Sequence, residues 1–275
     1  MTRPTGWTVF WRTVRGRAYP RVIGLQREKS WFFFDVFLPL LSVAAYVFIY
    51  RAIDAPPEFL GFVVLGGAMT AYWMNIMWNM ASQMYWEKET GNLELYIIAP
   101  TSLMAILLGM AIGGVVATTV RALAVIAIGT LIFRVPMTVT SVPIFVGVFV
   151  STMVALYGLG MLLSSLFLLF GREAWHMSEL LREPVFLVSG FYFPVRALGF
   201  AVAAAASIVP ITLGLDAMRQ LLFPGMMANL RFLSPQVELA ILGGSAVLFL
   251  TLAHRSLGYL EGLARREGRL TLRGQ

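Results

Sequence analysis

Residues 105–133 read AILLGMAIGGVVATTVRALAVIAIGTLIF, twenty-nine positions with one ionisable side chain, Arg121. A helix needs roughly 20 apolar residues to cross about 30 Å of hydrocarbon, so this stretch places the chain in a bilayer. Comparable runs extend over Trp31 to Tyr50, Phe59 to Met80, Val142 to Phe170, Leu180 to Phe193 with its flanks, and Val237 to Ala253. The pattern predicts an all-α integral membrane protein with six transmembrane helices over residues 31–255. Residues 1–30 are expected to form a cytoplasmic amphipathic helix and residues 256–275 a basic cytoplasmic tail.

Composition agrees with these runs. Of 275 residues, 59% are hydrophobic and 13% charged, and the mean hydropathy is +0.78. That leaves too little polar surface to cover a water-soluble globule. Disorder and collagen-like structure are excluded on composition, and a disulfide scaffold is excluded because the chain has no cysteine. The net charge of +7 suggests nucleic acid at first sight, but basic flanks left inside the cell by the positive-inside rule give the same excess.

Lys and Arg placement sets the expected topology. One side carries Arg3, Arg12, Arg15, Arg17, Arg21, Arg27, Lys29, Lys88, Arg172, Arg182, Arg255, Arg265, Arg266, Arg269 and Arg273. The other carries Arg51, Arg134, Arg196, Arg219 and Arg231, with Arg121 left inside a span. An even number of spans with this bias puts both termini in the cytoplasm. The apolar run that follows the basic N-terminal region is of full span length and has no small-residue cleavage site behind it, so it reads as a retained first span rather than the core of a signal peptide. Within the basic region Trp7, Phe10, Trp11, Val14 and Ala18 recur at helical spacing, with Arg12 and Arg15 turned away. That spacing suits a helix lying on the inner leaflet; the alternative is a basic tail without fixed structure.

Catalytic chemistry has little to work with. His176 and His254 lie at span ends, no G-x-x-x-x-G-K-[ST] phosphate loop occurs, and no extramembrane stretch is long enough for a catalytic domain. Asp35 and Arg121 are the obvious charges at lipid depth, a thin basis for an ion-coupled carrier. Arg121 reads equally as a substrate or subunit contact and as half of a structural ion pair. In the second span Tyr72, Asn75, Asn79 and Gln83 share one helical face, which must meet another helix or a polar cavity. Packing alone accounts for that face as well as a ligand does. Gly109 and Gly113 have the small-xxx-small spacing that lets helices approach closely.

Two constellations go further. Trp86-Glu87-Lys88-Glu89-Thr90-Gly91-Asn92-Leu93-Glu94-Leu95-Tyr96-Ile97-Ile98-Ala99-Pro100 is a charged turn followed by a short amphipathic element, with Leu93, Tyr96 and Ile97 along one side. Ser189-Gly190-Phe191-Tyr192-Phe193-Pro194 closes the fifth span, and Pro210 and Gly214 to Arg219 follow. Within the stretch from Pro194 to Gln236, Ala197 to Ile211 is apolar but too short to cross and return and Thr212 to Phe223 is mixed, which suits a re-entrant hairpin or a pair of tilted spans.

In order and spacing these elements resemble the type-2 ABC transporter permease family, over nearly the whole chain. The departure is Asn92, where a small or hydroxyl residue is common. The resemblance implies a permease subunit with no ATPase site of its own and no bound cofactor, ATP and Mg being held by a separate ATP-binding subunit in two copies. It implies a coupling helix within Glu87 to Pro100, with Glu87, Glu89, Thr90, Gly91, Leu93, Glu94 and Leu95 at the contact, and a connecting helix at the N-terminus. It implies a pathway lined by Tyr72, Asn75, Asn79 and Phe186, joined by Arg121 where that side chain reaches the cavity. The outer gate would comprise Ser189, Gly190, Phe191, Tyr192, Phe193 and Pro194 with the re-entrant Pro210, Asp216 and Arg219. It implies export of a drug, lipid or lipid-linked glycan by a homodimer, or a heterodimer, in a bacterial inner membrane. The rivals are a passive channel, an ion-coupled carrier and a non-transporting membrane anchor.

Overall fold

The computed structural model describes residues 6–27, 29–135, 137–170 and 173–267. Arg3, Arg172, Arg269 and Arg273, used above for topology, lie outside the described residues. Among those described, every regular element is helical. In chain order they are α1 (Gly6–Arg27), α2 (Lys29–Ala52), α3 (Glu58–Ile76), a π-helical turn (Met77–Ala81), α4 (Gln83–Glu89), α5 (Asn92–Ile98), α6 (Leu103–Phe133) and α7 (Val142–Phe170). There follow α8 (Glu173–Val188), a 3-10 turn (Val195–Leu198), α9 (Phe200–Ala206), α10 (Pro210–Leu222), α11 (Pro224–Met227) and α12 (Pro235–Glu267).

Five of these are long and apolar enough to cross a membrane: α2, α3 with its continuation to Glu89, α6, α7 and α12. α3 is the buried centre, packed among α2, α6, α7 and α10, whereas α2 and α12 are largely exposed. Continuous burial along α3 from Leu60 to Thr70 forms the middle of the core, with Phe62, Met69, Tyr72 and Trp73 inside it.

The fifth expected span differs from its sequence reading. α8 has 16 residues, about 24 Å at 1.5 Å per residue and short of the hydrocarbon thickness. It ends at Val188 because Gly190 turns left-handed (φ +70°), sending Phe191, Tyr192 and Phe193 into a loop. Downstream, α9 and α10 are bent by 113° at residues 207–209, where Pro210 opens α10. The pair therefore enters and turns back, or forms one broken span. α12 continues without a break past residue 255 as far as Glu267.

α1 does not stand apart from the bundle. Val14 and Arg17 cover Gly109, and Ala18 and Arg21 cover Gly113, so α1 follows α6 in the same direction for two turns. A Cβ at either glycine would press on the α1 backbone, which is the close approach that small-xxx-small spacing permits. Val14 is buried in this seam, while Trp7, Trp11, Arg12 and Arg15 remain exposed.

Candidate functional site

At about 48 Å for 32 residues, the helical run from Glu58 to Glu89 outlasts the hydrocarbon core, so its charged last turn projects beyond it. Gly91, left-handed at φ +80°, ends α4 and turns the chain directly into α5. That turn folds α5 back on Glu87. The Glu87 carboxylate, 6% exposed, accepts four hydrogen bonds. Arg17 Nη2 (2.8 Å) and Gln83 Nε2 (2.9 Å) donate to Oε1; Asn92 Nδ2 (2.9 Å) and Tyr96 Oη (2.9 Å) donate to Oε2. One side chain thereby ties α1, α4 and α5 together.

Burial alone pushes this carboxyl up, but the Asn92 and Tyr96 hydrogen bonds, the Arg17 charge and the Gln83 amide outweigh it and hold it below the ordinary carboxylate value. Burial, reinforced by the Glu87 carboxylate, pushes the Tyr96 phenol up to about 12 against the pull of Arg17. Tyr96 is thus a standing donor. Around this centre Arg17 lies over the Tyr96 ring at 5.2 Å, Arg21 donates to Gln83 Oε1 and to the Asn79 carbonyl, and Thr101 meets Thr13. Glu261 of α12 accepts the Leu103 amide and so caps the start of α6.

With Leu93 buried and Tyr96 and Ile97 partly so, the opposite side of α5 is presented outward. It carries Glu94, Leu95 (59% exposed) and Ile98 (79% exposed). Thr90 and Pro100 flank it, also exposed, and Glu89 and Gly91 are half-buried at its edge. Of the acidic residues expected together at this surface, Glu87 faces inward and Glu94 outward.

The residues expected along a pathway are divided. Tyr72 donates to Thr119 Oγ1 (2.8 Å), and Asn75 Oδ1 accepts from Tyr157 Oη (2.9 Å), so both brace α3 against α6 and α7 in the interior. Asn79 is exposed, because the π-helical turn adds a residue to the helical winding and swings Trp78 and Asn79 outward. Phe186 is partly buried, its ring 5.1 Å from that of Phe191. Arg121 pairs with Asp35 at 2.8 Å.

The expected gate residues converge at the far end of α3. Arg219, 1% exposed, donates to the carbonyls of Gly190 (2.5 Å), Phe191 (2.6 Å) and Phe62 (3.0 Å) and lies 3.5 Å from the Phe62 ring. The loop can approach α3 this closely because residue 66 is glycine: a Cβ there would overlap the Phe191 carbonyl. Tyr192 stacks on Tyr46 at 4.1 Å, and its carbonyl accepts from Tyr50 Oη. Ser189 and Pro194 are buried and Phe193 is partly buried; Pro210 starts α10 under the same cover. Asp216 is buried too, but faces α12, accepting from Gln220 and from the Phe232 amide.

Sequence reading missed the donors to Glu87, namely Arg17, Gln83, Asn92 and Tyr96, and the buried partners of Asp216, namely Gln220 and Glu238. A signal existed in part: Gln83 and Glu87 stand at i, i+4 on one helix. The Arg17 contact spans 70 positions and leaves no local trace.

No curated protein matches the chain. The family described as "ABC-2 type transporter" matches residues 21–223, from the second half of α1 through α10. The matched span takes in Glu87 with Gln83, Asn92 and Tyr96, and the Arg219 cluster, and it covers well over half of the chain. The chain therefore belongs to the ABC-2 type transporter family, as a multi-pass membrane permease subunit rather than the ATPase.

Proposed function

We propose that the chain is the permease of an ATP-driven exporter and that α5 is the helix through which a separate ATP-binding subunit moves it. The observation that carries this is the division of α5: one side is fixed to Glu87, and the other offers Glu94, Leu95 and Ile98 to a partner. A helix that receives force must be joined stiffly to the spans it moves, and four hydrogen bonds to a buried carboxylate supply that joint. Glu87 is the clasp in this reading, while Glu89, Thr90, Glu94, Leu95 and Pro100 meet the partner, which holds ATP and Mg. α1, gripped by the same carboxylate, is the connecting helix.

The Glu87 end is cytoplasmic and the Arg219 end faces outward in this reading, with both termini inside a bacterial inner membrane. Two copies of the chain, most simply identical, combine with two ATP-binding subunits. ATP closure draws the two α5 helices together, and the halves rock so that the loop Ser189 to Pro194 and α10 yield as an outer gate. Such a shift requires ATP to bind one state more tightly than the other. Asn79 and Phe186 face the pathway, Tyr72 and Asn75 brace the wall behind it, and Arg121 with Asp35 stands at its edge. A weakly charged, aromatic wall suits an amphipathic or lipophilic cargo such as a drug, lipid or lipid-linked glycan. The test is transport in proteoliposomes containing the chain with and without the ATP-binding subunit. Cargo movement that needs both the subunit and ATP is expected; equal movement by the chain alone would overturn the reading in favour of a channel or carrier.

A further inference from the structure

On α10, one turn before Arg219, two acids meet, and among the described residues neither is in an ion pair. Asp216 of α10 and Glu238, in the first turn of α12, are 2% and 0% exposed. Gln220 Nε2 donates to Asp216 Oδ2 at 2.8 Å and to Glu238 Oε2 at 3.2 Å, so one amide nitrogen holds the two carboxyl groups side by side. Backbone amides of Phe232 (3.0 Å) and Leu233 (3.4 Å) complete the set. Two buried carboxylates drawn to one donor repel each other, and a proton on one of them removes the repulsion.

The surrounding charges lead to the same count. From α10, the Arg219 guanidinium acts on Asp216 but is turned to the carbonyls of Gly190, Phe191 and Phe62. From α2, Tyr50 is the ionisable group beyond Arg219, with its hydroxyl on the Tyr192 carbonyl. α7 presents Thr152 against Gly214, and α3 presents the Phe62 ring. In the 228–234 loop Arg231 is exposed, and its carbonyl accepts from Arg196. The buried set is one cation and two acids, so a single bound proton makes it neutral, the cheapest state away from water.

We propose that Asp216 and Glu238 share one proton and form a pH-sensitive latch that pins α10 to the start of α12. Moving α10 away admits water, separates the acids and releases the proton to the solvent, so acid favours the closed arrangement and alkali the open one. The meaning of the latch as an outer gate rests on the orientation proposed above; the shared proton does not.

The proton is tested by infrared spectroscopy of the purified full chain in lipid nanodiscs at pH 7. The carbonyl band of a buried protonated carboxylic acid is expected in the wild type and absent from both Asp216→Asn and Glu238→Gln, since removal of either acid leaves the remaining one balanced by Arg219. No band in the wild type, or a band that survives both substitutions, would overturn the proposal. The latch is tested by labelling a single cysteine placed at Met218, which the cysteine-free sequence permits. Relative to Glu238→Gln at each pH, labelling should accelerate with rising pH by up to about tenfold per unit, the limit for release of one proton. A constant ratio across pH would overturn the latch, independently of any transport assay.

Discussion

Glu87 is the residue where charge, burial and connectivity coincide. Glu87→Gln keeps the size but removes the partner of Arg17 and turns an amide NH2 toward the Asn92 and Tyr96 donors. Hydrogen bonds to charged groups contribute about 1.5–3 kcal/mol each when one partner is lost, and a loss of that order is expected in thermal unfolding, with faster hydrogen exchange confined to α1 and α5. The folded carboxyl sits below its ordinary value, so its contribution is complete above the unfolded value of about 4.3 and disappears as pH falls through the folded one. Exchange of α5 in the wild type should therefore accelerate in acid toward that of Glu87→Gln; an identical acid response in both would contradict the clasp. The sequence makes Glu87, Glu89 and Glu94 look equivalent because it records charge without direction. Asn92, which departs from the family pattern, is one of the four donors that give Glu87 its place.

The seam between α1 and α6 is tested one element up. Gly109→Ala would set a Cβ 2.5 Å from the Val14 carbonyl, and overpacking of this kind costs about 1–3 kcal/mol. Gly16→Ala, with open space at its Cβ, should leave stability unchanged or slightly raised, since alanine is the better helix former. Equal thermal stability of the two variants would mean that α1 does not rest on α6. The glycine spacing was legible in the sequence; its partner was not, because the aromatic periodicity of α1 equally suits a lipid surface. Hydropathy failed at α8 for a related reason. The apolar run continues through Phe191, Tyr192 and Phe193, so composition does not mark the left-handed turn at Gly190 that ends the helix. The α9–α10 bend was readable, since Pro210 and the shortness of the apolar stretch both require a turn there.

At the scale of the molecule, the interior is organised around α3, and the two ends of the helical run Glu58–Glu89 that contains it carry the two clusters: Glu87 with α1 and α5, and Arg219 with the Gly190 loop. In the proposed function a displacement of α5 would be applied to the helical run that reaches the opposite cluster. In the function proposed above a partner delivers that displacement, and the exposed α5 face is where it would bind. The most direct measurement is the affinity of an ATP-binding subunit for the full chain in nanodiscs, compared with Leu95→Asp/Ile98→Asp. Burying an aliphatic side chain contributes about 1.5–3 kcal/mol, so the double substitution is expected to weaken assembly by about a hundredfold or more while leaving the fold intact. Unchanged affinity in the double variant would contradict α5 as the coupling surface.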